Sequence, residues 1–147
     1  MASIGKNFES IIGKAFEKYP FTSVDRIPDQ TMRYKDRKNV SDFIVYHHPI
    51  LYYIECKTVH GNTLPFSNIS QLDALMKKSE IFGVRAGVMC WWVDKDVTRW
   101  LPIEELNFKR YRGQKSIRFD EPVHGSKFIK GKKKRTYFEY DIDSFFE

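Results

Sequence analysis

The sequence predicts an α/β domain with a central mixed β-sheet flanked by helices. Three observations lead there. The run RAGVMCWWV at 85–93 is almost continuously apolar, as in a central strand buried on both faces. Two β-rich runs, at 43–46 and 50–57, flank the turn-like His47-His48-Pro49 and so form a hairpin. Stretches with helical periodicity precede and follow that hairpin. The chain has 147 residues, 41% hydrophobic and 16% aromatic, which suits one core of ordinary size and one domain over 1–147.

The elements follow in order. At 6–19, Phe8, Ile11, Ile12, Ala15, Phe16 and Tyr19 recur at helical spacing and form one apolar stripe, with Glu9 beside it and Pro20 as the stop. Residues 22–41 are polar and basic and read as a strand followed by a protruding loop. That loop groups Arg33, Lys35, Arg37 and Lys38 as candidate phosphate contacts, with Tyr34 as a candidate for base stacking. After the hairpin, 58–69 is a loop containing Gly61 and Pro65. Ser70 is the expected N-cap of the next helix, with Asp73 in a capping-box-like position. Leu72, Leu75 and Met76 give that helix its inner side, and Gly83 ends it after about Ile81. The apolar strand at 85–93, Trp91 and Trp92 included, belongs to the core. Residues 97–101 pair with it across Asp94-Lys95-Asp96, and Pro102 opens a short helix with Glu104, Glu105 and Leu106. The rest is strongly basic, and Lys130, Lys132, Lys133, Lys134 and Arg135 form a candidate clamp on a DNA backbone.

Charge narrows the function. There are 25 Lys+Arg against 19 Asp+Glu, a net charge of +6, which points to a polyanion: nucleic acid first, an acidic membrane surface second. Cys56 and Cys90 both lie in apolar runs and read as reduced, buried thiols; neither has the spacing of a zinc site. The N-terminal MASIGKNFES lacks an apolar core of signal-peptide length, and no apolar run approaches the roughly 20 residues of a membrane span. A cytoplasmic protein with no membrane partner is expected.

The chemistry concentrates in the hairpin. Asp42 opens its first strand, while Glu55 and Lys57 end its second. Side chains alternate along a strand, so Glu55 and Lys57 share a face with Leu51 and Tyr53, whereas Tyr52, Ile54 and Cys56 point to the other. A hairpin sets the start of one strand beside the end of the other, which makes Asp42 a neighbour of Glu55. Two adjacent carboxylates favour a cation between them, and hard oxygen donors suit Mg²⁺ or Mn²⁺. Such an ion activates water and polarises a phosphodiester, and a lysine on the same face offsets charge in the transition state. The pattern points to a metal-dependent DNA endonuclease. An edge strand carrying Glu and Lys for solubility shows the same spacing, so a general nuclease and a DNA-binding accessory protein with a weak site both stay open.

Asp42 followed by Glu55-Cys56-Lys57 at the end of a hairpin resembles the PD-(D/E)xK nuclease superfamily, and further segments narrow the likeness to the RecU-type Holliday junction resolvases. GKNFES at 5–10 resembles that family's first helix, RIPDQ at 26–30 the strand before its stalk, and SDFIVYHHPILYYIECKT at 41–58 its catalytic hairpin. LPFSNISQLDALMKK at 64–78 resembles its glutamine-bearing helix and GQKSIR at 113–118 a late segment. The resemblance implies a restriction-endonuclease-like core and a Mg²⁺-dependent homodimer that cuts opposed strands of four-way DNA junctions. It implies Asp42, Glu55, Gln71 and the main-chain carbonyl of Cys56 as metal ligands, Lys57 as the transition-state cation, and Glu9 as a supporting carboxylate. The family's threonine two residues before the aspartate is Val40 here, and the stalk is reduced to about MRYKDRKN. The compact length favours a phage-encoded version acting in the host cytoplasm.

Overall fold

The structure, a computed structural model, describes residues 4–28, 39–133 and 138–146, the side chains at 132, 133 and 138 apart. Arg33, Tyr34, Lys35, Arg37, Lys38, Lys134 and Arg135 lie outside the described residues, as do the side chains of Lys132 and Lys133. With them go the expected stalk and most of the expected clamp.

The elements are α1 (Ile4–Glu17), β1 (Thr22–Arg26), β2 (Phe43–His47), β3 (Ile50–Val59), β4 (Thr63–Pro65), α2 (Leu72–Ser79), β5 (Val84–Trp92) and β6 (Val97–Pro102). Then come α3 (Ile103–Tyr111), β7 (Ser116–Arg118), β8 (Lys127–Phe128), β9 (Gly131–Lys133), β10 (Phe138–Tyr140) and α4 (Asp143–Phe146). A six-stranded sheet runs β1-β2-β3-β5-β6-β8; β3 and β5 pair in parallel and its other pairs are antiparallel. The expected mixed sheet with flanking helices is therefore present. Among the described residues no helix is long and apolar enough to cross a membrane.

Alternation divides the core in two. Phe43 and Val45 of β2, Tyr52 and Ile54 of β3, Met89 of β5 and Trp100 of β6 form one face, covered by Phe8, Ile12 and Phe16 of α1 and Phe145 of α4. These α1 residues are spaced by four, one turn apart, which is why this stripe docks. On the other face Val59, Val88, Cys90, Trp92 and Leu101 pack against Leu72 and Leu75 of α2 and Ile103 and Leu106 of α3. Tyr53 packs on this second face. Glu55 and Lys57, two and four residues on, therefore rise from the face that α2 and α3 cover.

Two expectations need correction. The start of α2 is capped neither by Ser70 nor through a capping box. Gln71 occupies the cap position without a side-chain cap, and the Leu72 amide, which a Ser70 cap would take, already donates to the Ile69 carbonyl at 3.2 Å. A short 3₁₀ turn, Phe66–Asn68, leads into this start. Asp73 instead bonds Arg110 at 2.7 Å. The helix also stops at Ser79, and Gly83, at φ +84, turns the chain into β5. Of the two tryptophans, Trp92 is fully buried, while Trp91 is half-buried with its indole N–H on Asp96 at 3.2 Å.

The sheet is tight where β5 meets β6. Gly87 faces Pro102, and a side chain there would run into the Leu101 carbonyl and the Trp100 ring, 2.9 Å from the position a Cβ would take. Backbone cannot yield as a flexible side chain can. Gly87→Ala should lower the unfolding free energy by about 3 kcal/mol, read from urea denaturation. An unchanged midpoint would contradict this packing.

Candidate active site

Asp42 is held from three sides. It lies one step beyond the Phe43↔Ile54 pair, and its N–H donates to the Ile54 carbonyl at 3.1 Å. Its own carbonyl accepts from the Ile27 N–H at 2.8 Å, which ties in the chain leaving β1. Its Oδ2 accepts from the Cys56 N–H at 2.8 Å. The antiparallel register thus sets Asp42 opposite Glu55.

Glu55 is only 3% exposed, because its strand lies between β2 and β5 and its face is covered. Lys57 Nζ is 3.6 Å from Glu55 Oε2. Glu55 Oε1 is buried with no hydrogen-bond partner among the described residues. Burial first, and the neighbouring Asp42 carboxylate second, push the Glu55 carboxyl up to about 8, with Lys57 pulling the other way.

The structure brings Asp42, Glu55 and Lys57 together as expected. At Cys56 it is the main-chain N–H that engages Asp42. Cys56 belongs to the α1 face, where its thiol is free and the residue as a whole is half-buried. Burial, and then Asp42 and Glu9, push that thiol well up. Glu9 thus lies toward the Cys56 side of the sheet, gripped by Arg26 through Nη2 at 3.1 Å and Nε at 3.2 Å. Arg26 escapes a reading of the sequence, because its partner is 17 residues away on a helix. Gln71 stands at the cap position of α2, and its Oε1 accepts from the Ser70 hydroxyl at 3.0 Å. His60, three residues after Lys57, lies against Asp94 at 3.3 Å. Lys130 lines a groove of about 840 Å³ between α1 and the C-terminal segment, on the face opposite Glu55.

The donor set fits a hard divalent cation. Two carboxylates sit side by side, one of them buried with an oxygen that nothing satisfies, and a cation between them would relieve both the repulsion and the orphaned atom. Among the described residues no third His, Cys, Asp or Glu joins them.

No protein-family model and no curated protein matches this sequence. The fold does have a known counterpart. Hjc of Archaeoglobus fulgidus, a Holliday junction resolvase from an archaeal hyperthermophile, superposes with a TM-score of 0.50 over 70% of this chain and 75% of its own, at 17% identity. The six-stranded mixed sheet with its helices is thus a restriction-endonuclease-like fold resembling that of Hjc.

A carboxylate with a raised folded-state pKa binds its proton more tightly folded than unfolded. The metal-free protein should therefore lose stability as pH rises from about 4.5, the ordinary value, through about 8. The loss is at most about 1.4 kcal/mol per pH unit. Glu55→Gln should flatten this slope in thermal melts, and Mg²⁺ should raise Tm more above that window than below it. A wild-type slope that survives the substitution would refute the assignment.

Proposed function

We propose that this chain is a Mg²⁺-dependent, structure-selective endonuclease that resolves four-way DNA junctions by paired strand cleavage, with Mn²⁺ able to substitute. One observation carries the reading: a buried Glu55 carboxyl, with one oxygen unpartnered among the described residues, beside Asp42 and Lys57 on a fold shared with a Holliday junction resolvase. A buried carboxyl with a raised pKa beside a second carboxylate is the kind of group that concentrates where chemistry is done. A strand that served only the fold would carry an aliphatic residue at position 55.

In this reading Asp42 and Glu55 hold the metal. When bound there, the ion supplies a polarised phosphodiester and a water acidic enough to attack near neutral pH. Lys57 presents its ammonium to the charge that builds on the phosphate oxygens. The Cys56 N–H orients Asp42. Arg26 holds Glu9 as a supporting carboxylate, and Gln71 at the start of α2 is a further metal ligand. Two opposed cuts require two sites related by a twofold axis, hence a homodimer. The segment likenesses, the short stalk MRYKDRKN at 32–39 and the compact length support a RecU-type, phage-encoded version working in host cytoplasm. The whole chain, 1–147, is then one nuclease domain.

The test is a gel assay with a synthetic four-way junction, a linear duplex and Mg²⁺. Symmetric nicking of the junction alone is the expected result. Cutting of the linear duplex would make this a general nuclease, and binding without cleavage in either metal would overturn the enzyme reading. Glu55→Gln should slow junction cleavage by about 10²–10³-fold and leave junction binding almost unchanged. Wild-type cleavage by that variant would refute the site.

A further inference from the structure

Helix α3 ends in a feature that the candidate site does not use. Its last turn and the residues after it, KRYRGQK at 109–115, carry four cations and no acid. Phe108 is 55% exposed and Tyr111, one turn further, is 89% exposed. Helical spacing of three puts the two rings on one side. The Arg112 guanidinium lies over the Phe108 ring, 5.6 Å from its centroid.

The charges here are not equivalent. Lys109 is bonded to Glu121 at 2.8 Å, and Arg110 to Asp73 at 2.7 Å. Arg118 holds Asp120 at 2.7 Å. The acids around this end are thereby occupied. Among the described residues neither Arg112 nor Lys115 takes part in an ion pair, and both are exposed.

Topology sets this end of α3 on the Glu55 face. Ile103 and Leu106 pack in the core that Tyr53 also joins. The Arg110–Asp73 pair brings the last turn of α3 to the first turn of α2. The Lys115 carbonyl accepts from the Phe66 N–H at 2.9 Å, and β7 pairs with β4, whose residues follow directly on the end of β3. The exposed rings and free cations therefore lie on the same face of the sheet as Glu55, toward the end of β3 that carries Lys57.

We propose that the end of α3 is a landing surface for an unpaired DNA strand, with bases stacking on Tyr111 and Phe108 and phosphates meeting Arg112 and Lys115. The inference rests on the nuclease reading and adds to it a place where an unpaired strand can run on the candidate site's face. Exposed aromatics interleaved with uncompensated cations are what single-strand binding uses: the rings accept any base and the cations follow the backbone. An apolar protein partner would instead require those cations to be desolvated without a counter-charge.

The test needs neither metal nor cleavage. The full chain is titrated into a fluorescein-labelled oligothymidylate of about a dozen nucleotides and into a blunt duplex, and anisotropy is read. Tyr111→Ala should weaken oligothymidylate binding about tenfold, whereas Tyr111→Phe should bind as the parent does. Arg112→Ala should reduce the slope of log affinity against log salt by about one. Tyr111 is exposed, so an unchanged melting temperature separates lost contact from lost fold. Absence of single-strand binding, an unaltered Tyr111→Ala affinity, or an equal loss on blunt duplex would each overturn the stacking surface, even if junctions are cleaved. Stacking without cleavage in any metal would sink the nuclease reading and leave the surface in place.

Discussion

The burial of one carboxylate constrains the rest of this molecule. Glu55 stands in the middle of a ten-residue strand with a neighbour on each side, and it belongs to the face that two helices cover. A surface glutamate escapes unfavourable surroundings by swinging into water. Glu55 has no such route, and its only counter-charge among the described residues is a lysine two residues along the same strand. Desolvation of an ionised carboxylate costs more than one imperfect ion pair returns, so the group is held protonated well above its ordinary range. Filling that position with a charge that the fold disfavours makes sense where the charge is used.

The neighbouring elements follow from this constraint. The short hairpin brings Asp42 opposite Glu55, and the Cys56 amide fixes the Asp42 carboxylate without neutralising it. The chain leaving β1 anchors the Asp42 main chain. Parallel pairing of β3 with β5 requires a crossover, and the crossover carries α2, whose first turn starts with Gln71. A helix start is thereby delivered to the carboxylate face by topology alone. The Gln71 side chain accepts from the Ser70 hydroxyl at that start.

Whatever had a period could be read from the sequence. The α1 stripe, the alternating hairpin, the apolar run of β5 and the proline-opened α3 were all visible, and alternation alone put Glu55 and Lys57 on one face. The three-residue ladder between β4 and β7 was not visible, since strands that short carry no period. Nor was α4, four residues long, which works through Phe145: that ring meets Phe16, Tyr52 and Trp100 at centroid distances of 4.9 to 5.0 Å, contacts set by three distant segments. The cap of α2 misled for a different reason. Ser70 is a good cap in isolation, but the amide it would take was already engaged by the preceding turn. At the site the unreadable parts are the long-range pairs: Arg26 with Glu9, and the orphaned oxygen of Glu55.

The distribution of charge separates the two sides of the sheet. On the α1 side the groove beside Lys130 is lined by three lysines, Lys14, Lys18 and Lys130, and by three acids, Glu139, Asp141 and Asp143. Their fields largely cancel at the distance of an approaching polyanion. On the Glu55 side Asp73, Asp120 and Glu121 are each taken by a cation, whereas among the described residues Arg112 and Lys115 at the end of α3, and Glu104 and Glu105 in its first turn, take part in no ion pair. The helix thus carries its unpaired acids at its start and its unpaired cations at its end, and a phosphate chain drawn to that end reaches the side of the sheet on which Asp42, Glu55 and Lys57 stand together.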